Sequence, residues 1–87
     1  MYRVVLTKQA MKDLPKLKAA KLADKAQSLL AIIEQDPYQD PPTYEKLLGK
    51  LKGYYFRRIN YQHRLVYEVD EDEKKVRVLS MWTHYAF

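Results

Sequence analysis

Cysteine is missing and histidine is nearly so, with His63 and His84 the only two. Without thiols there is no disulfide framework and no thiolate zinc site. Two imidazoles with few clustered carboxylates do not make a metal centre either, so no metal or cofactor is expected. The missing cysteines also suit a reducing cytoplasm. Long apolar runs are missing as well. Ahead of Thr7 and Lys8 only Val4, Val5 and Leu6 stand together, far short of a secretion signal or a membrane span, which predicts a soluble, unexported protein with no membrane partner. Glycine is scarce, with Gly49 and Gly53 the whole supply, and no glycine-rich phosphate loop is present.

What the sequence does have is charge. Its 87 residues suffice for one modest core, and so for a single domain spanning residues 1–87. Sixteen Lys and Arg stand against eleven Asp and Glu. Five of those acids fall at Glu68 and from Asp70 to Glu73, so the rest of the chain holds sixteen bases against six acids, or +10. Such a surface attracts a polyanion: nucleic acid, a ribosome or an acidic protein. The acidic run lacks the spacing of a calcium loop and reads as a solvated hairpin tip.

Hydrophobic spacing predicts an α+β fold. Tyr2 to Leu6 reads as a strand, and Thr7 offers an oxygen to cap a helix starting at Lys8. Ala10, Met11, Leu14 and Leu17 mark its inner stripe, with Pro15 expected to bend this helix or end its regular part early. A second stripe, Leu22, Ala26, Leu29, Leu30 and Ile33, predicts a helix from about Lys21 to Gln35. Pro37, Pro41 and Pro42 then force an extended connector. Beyond it, three strands joined by tight turns predict a small antiparallel sheet, the last strand running from Lys75 to Trp82, with the helical hairpin packed on its apolar face.

The central stretch is Gly53 to Val69, GYYFRRINYQHRLVYEV, two strands folded back at Asn60, Tyr61 and Gln62. A three-residue loop there sets Arg58 across from Arg64 and Phe56 across from Val66. Opposed like charges on a sheet are destabilising. The pair makes sense around an anion, and a phosphate matches the planar fork of Arg. The ordinary alternative is a pair of solvated arginines bound to nearby carboxylates.

Metal-free RNA cleavage needs a base for the 2'-hydroxyl, positive charge at the phosphate and an acid for the leaving 5'-oxygen. Glu45, with a reference pKa of about 4.3, can serve as the base. Arg64 and Arg58 can hold the phosphate. His84, with a reference pKa of about 6.5, can act as the acid. Tyr85 and the aromatics Tyr54, Tyr55 and Tyr61 could stack on unpaired bases. Each also has an ordinary reading: Glu45 pairing with Lys46 or Lys50, His63 as a residue flanking the turn, His84 as an exposed imidazole.

The run RRINYQHRLVYEV, a His-Tyr pair near the end, and Glu45 ahead of LLGKLKGYY together resemble the YoeB/Txe toxins of bacterial toxin-antitoxin systems, within the RelE superfamily. The resemblance covers the whole chain in order and is strongest from Pro42 to Tyr85. It implies a compact fold similar to microbial ribonucleases and a ribosome-dependent messenger RNA endonuclease of the bacterial cytoplasm. An antitoxin of the YefM/Phd type would hold it inactive, and operator DNA would be met only through that complex. By position it implies Glu45 as general base, Arg64 at the phosphate, His84 as general acid and Tyr85 beside it, with Arg58 assisting. Lys46, Lys50 and Tyr54 are the further candidates for RNA contact. Relatives often place Pro and Lys after the glutamate, where this chain has Lys46, Leu47 and Leu48, and often stop at the tyrosine, where Ala86 and Phe87 follow.

Two other classes stay open on the residues alone. A basic module could dock on RNA or the ribosome without cutting, and a small sheet protein could bind DNA as a regulator. Only a catalyst needs Glu45 and His84 in addition to the arginines.

Overall fold

The computed structural model of the chain describes residues 1–47 and 53–82. Strand β1 (Arg3–Leu6) leads into helix α1 (Lys8–Ala19) through Thr7, whose side-chain oxygen accepts from Ala10 N at 3.2 Å as an N-cap and donates to the Leu79 carbonyl at 2.9 Å. One residue thus caps the helix and ties it to the sheet. The regular helix does not stop at Pro15 but runs on to Ala19. Pro15 and Met11 both lie on the solvent side, so water can take up the carbonyl that the missing amide leaves free.

The inner face of α1 also differs from the expected stripe. Ala10, Asp13 and Leu17 are buried, while Met11 and Leu14 are exposed. The helix is turned toward Asp13 because its buried carboxylate accepts from the amides of Met81 at 2.9 Å and Trp82 at 3.2 Å. Helix α2 (Ala23–Gln35) buries Ala26, Leu29 and Ile33 as expected.

Strands β2 (Glu45–Lys46), β3 (Tyr54–Arg58), β4 (Arg64–Asp70) and β5 (Lys75–Ser80) complete a five-stranded sheet in the order β1-β5-β4-β3-β2. The β3-β4-β5 meander is antiparallel. The sheet as a whole is mixed, because β1 lies parallel to β5. The chain leaves β1 into the helical pair and returns to the sheet only much later, so β1 is free to run alongside β5 in the same direction. The last strand ends at Ser80, short of Trp82.

The main core lies between the helices and one sheet face, built from Leu17, Leu29, Ile33, Leu65, Tyr67, Val76 and Val78. Among the described residues the opposite face holds only a small cluster, Leu47, Phe56 and Val66, flanked by Tyr54 and Leu79. Among the described residues no helix is long and apolar enough to cross a membrane.

Candidate active site

The face away from the helices is where charge collects. Along β3, side chains alternate between faces, so Tyr54, Phe56 and Arg58 share this open side, while Tyr55 and Arg57 point the other way. Pairing extends the set: Arg58 stands opposite Arg64, Phe56 opposite Val66, and Glu45 of β2 on the other side of Phe56. The hairpin register is the one expected from the sequence. Glu45, Arg58 and Arg64 are therefore grouped around one aromatic ring.

The Arg64 guanidinium lies over the Phe56 ring, 5.0 Å from its centroid, a cation–π contact that steadies it. Glu45, Phe56 and Arg58 line a depression of about 230 Å³ together with Pro42 and Thr43. Glu45 and Arg58 are exposed and Arg64 is half-buried. Among the described residues neither Glu45 nor Arg58 makes an ion pair, so the pairing of Glu45 with Lys46 is not seen. A carboxylate next to two cations over an open concavity can accept a proton from a hydroxyl whose neighbouring phosphate the arginines hold.

The other sequence candidates are distributed differently. Lys46 pairs with Tyr55 and so belongs to the face opposite Glu45. Tyr54 is half-buried against the small cluster on the site face. Tyr55 is no free stacking platform, since its ring meets Tyr38 at 5.7 Å, Tyr44 at 5.9 Å and Tyr67 at 5.6 Å. Tyr61, at the hairpin tip, is 86% exposed. Lys50, His84 and Tyr85 lie outside the described residues.

His63 has the structural role read from its position beside the turn. It is buried, and its ring stacks on Trp82 with centroids 3.8 Å apart. The turn itself is made by Asn60, whose side-chain oxygen accepts from the amides of Gln62 at 2.9 Å and His63 at 2.7 Å. Arg64 thus follows a residue fixed on both backbone and ring.

Two residues that matter here were not singled out from the sequence. Arg57 is buried on the helix side of β3 and reaches the connector ahead of β2. Asp13 holds the backbone just beyond β5, where the chain turns toward its last residues. A signal existed for both. Arg57 falls at an inward position of an alternating strand, and Asp13 falls between Ala10 and Leu17 on a helical stripe.

Residues 6–85 match the family described as YoeB-like toxin of bacterial type II toxin-antitoxin system. A toxin YoeB of Mycobacterium bovis is 40% identical over 65 residues, 75% of this chain and 74% of that protein. The fold is similar to a YoeB/ParE toxin from Agrobacterium tumefaciens, with a TM-score of 0.86 at 27% identity over 95% of this chain and 99% of that one. It is also similar to a chain of the YoeB-YefM complex from Staphylococcus aureus, with a TM-score of 0.80 at 33% identity over 98% and 99%.

Proposed function

The chain belongs to the YoeB-like toxins of bacterial type II toxin-antitoxin systems, and from that premise we propose that it is an endoribonuclease that cuts messenger RNA on the ribosome and so stops translation. The observation that carries this reading is the grouping of Glu45, Arg58 and Arg64 on one open sheet face around Phe56. A binding module or a DNA-binding regulator needs the arginines but has no use for a carboxylate beside them that, among the described residues, makes no ion pair.

In the proposed reaction Glu45 takes the proton from the 2'-hydroxyl, and the 2'-oxygen attacks the adjacent phosphorus. Arg58 and Arg64 stabilise the phosphate as it gains charge. His84 gives a proton to the departing 5'-oxygen, with Tyr85 beside it. One P–O bond forms and one breaks, leaving a 2',3'-cyclic phosphate that can open to a 3'-phosphate. The chemistry uses no cofactor. The ribosome supplies the alignment of hydroxyl, phosphorus and leaving oxygen, and alignment of this kind can contribute several kcal/mol of the barrier.

The partner that restrains the toxin is an antitoxin of the YefM/Phd type. The basic surface suits an acidic, partly disordered segment that wraps it and covers the site. Operator DNA is reached through that complex, and the setting is the bacterial cytoplasm.

The test is to incubate the purified protein with a translating complex and with naked message, each with and without EDTA at levels that leave the ribosome intact, and to map the fragment ends. Cyclic or 3'-phosphate ends, formed only on the ribosome and insensitive to EDTA, support the reading. Ends carrying 3'-hydroxyls, or no cutting in either arm, reject it.

A further inference from the structure

Arg57 is neighbour in sequence to both Phe56 and Arg58, yet it works on the opposite face and is only 1% exposed. Burying a guanidinium is costly unless its donors find partners. Arg57 Nη1 donates to the Pro42 carbonyl at 2.6 Å, and Nη2 donates to the carbonyls of Pro37 at 3.0 Å and Gln39 at 2.9 Å. Its guanidinium carbon lies 5.0 Å from the centroid of the Tyr44 ring. No carboxylate takes part, and among the described residues Arg57 makes no ion pair.

All four partners belong to one stretch, the connector that runs from the end of α2 to the residue immediately before Glu45. Tyr67 adds a hydrogen bond from its hydroxyl to the Pro37 carbonyl at 2.7 Å. The stretch needs such anchoring. Strand β2 is two residues long and, among the described residues, lies at the sheet edge with β3 as its one neighbour, too little ladder to hold a side chain in place by itself. A planar guanidinium spreads its donors over separate nitrogens and can serve three carbonyls that stand apart, whereas an ammonium must gather all its acceptors around a single nitrogen.

We propose that Arg57 is a positioning residue for Glu45: it fixes the connector, the connector fixes β2, and β2 sets the carboxylate beside Arg58 and Arg64. The catalytic half of this inference rests on the reading of Glu45 as general base. The two adjacent arginines then have separate duties, one on each side of the sheet. Arg58 faces the phosphate, and Arg57 holds in place the strand that carries the base.

The test compares Arg57→Met, Arg57→Lys, Glu45→Gln and the double variant Glu45→Gln/Arg57→Met with the parent protein. The first readout is amide hydrogen exchange at Leu47, whose N–H donates to the Tyr54 carbonyl at 2.9 Å, measured without substrate and set against the amides of β4 and β5. The second is the single-turnover cleavage rate on translating ribosomes at saturating protein. Both Arg57 variants are expected to lose protection at Leu47 while β4 and β5 keep theirs, and to cut about 10-fold to 100-fold more slowly. Adding Arg57→Met to Glu45→Gln is expected to change the rate by less than about 2-fold, because the two act as one unit. If Arg57→Met does not fold, Arg57→Lys, which keeps the charge, carries the test. Unchanged protection at Leu47 in a folded Arg57→Lys protein, or losses that multiply in the double variant, would overturn the proposal. Full activity of Glu45→Gln would instead reject the general-base reading, and the exchange measurement tells the two failures apart.

Discussion

Arg58 and Arg64 face each other across the β3-β4 ladder, two cations held side by side where a sheet ordinarily avoids like charge. Opposed like charge on a sheet is destabilising, and in the proposed reaction a phosphate between the two puts it to use. Arg64→Ala should keep its fold, since the side chain is only half-buried, and should lose roughly 100-fold or more in cleavage rate. Arg64→Lys should also be impaired, because a point charge does not replace the fork. Circular dichroism and single-turnover rates check the two halves, and a folded Arg64→Ala protein of full activity rejects the assignment.

Relief of the same repulsion is measurable without RNA. Arg58→Gln keeps a polar side chain, though a shorter one, and removes one charge, so it should raise unfolding free energy by some tenths of a kcal/mol at low salt, with the gain shrinking as salt screens the pair. Urea melts at two ionic strengths decide it. A variant that is less stable at low salt means that the two arginines do not oppose each other in solution.

The hairpin was legible in the sequence because its evidence is local: Asn60 makes the turn, and strict alternation sets Arg58 against Arg64. What escaped was non-local. Nothing near Arg3 to Leu6 says that this strand will lie parallel to β5, because its partner comes some seventy residues later. Asp13 does not stand out as an inward residue because hydrophobicity puts Met11 and Leu14, both of which are exposed, on the inner face of α1. That face is instead set by a carboxylate serving two backbone amides far along the chain. The pair Arg57-Arg58 read as one basic patch, although period-two alternation separates the two residues by a whole sheet. At the proposed site, Glu45, Arg58 and Arg64 were legible as candidates because a charged side chain stands out in a sequence whatever its exposure. Arg57 was missed because its partners are carbonyls, which every residue has.

Asp13 leads to a stability prediction. Asp13→Ala leaves the buried amide of Met81 and the part-buried amide of Trp82 without this acceptor, which should cost about 2 to 4 kcal/mol. Asp13→Asn keeps an acceptor oxygen and should cost less. Equal losses in denaturant melts of the two variants would show that charge, not hydrogen bonding, is what the position requires.

Stability should respond to pH at both extremes for separate reasons. Hydrogen bonds from Tyr38, Tyr2 and Lys74 hold the Glu71 carboxyl down at about 2. A depressed folded-state pKa contributes stability above the ordinary carboxylate value, and that contribution fades as pH falls from about 4.5 toward 2. Burial pushes the Tyr67 hydroxyl up to about 12, against an opposing pull from Arg57. Its contribution is therefore complete below pH 10 and is lost as pH rises toward 12. Melting temperatures across both windows should show Tyr67→Phe flattening the alkaline limb alone, while Glu71→Gln flattens the acid limb and, because Glu71 also raises Tyr2, Lys74 and, after burial, Tyr38, part of the alkaline limb as well. A Tyr67→Phe protein that also alters the acid limb would mean a general loss of packing.

The general acid can be separated from the rest of the machinery by changing the leaving group. If His84 protonates the departing 5'-oxygen, His84→Gln should slow cleavage by roughly 100-fold to 10,000-fold on ordinary message. A message with sulfur in place of that bridging oxygen departs as a thiolate and needs no proton, so the same variant should regain nearly all of the loss on it. Arg64→Ala should regain little, because the charge it stabilises sits on the phosphate oxygens, which the sulfur does not touch. Glu45→Gln should likewise stay slow, since the 2'-hydroxyl must still give up its proton. Rescue of all three variants alike would mean that leaving-group departure limits each of them and that the roles are not divided in this way. Rescue of none would remove His84 from the leaving oxygen.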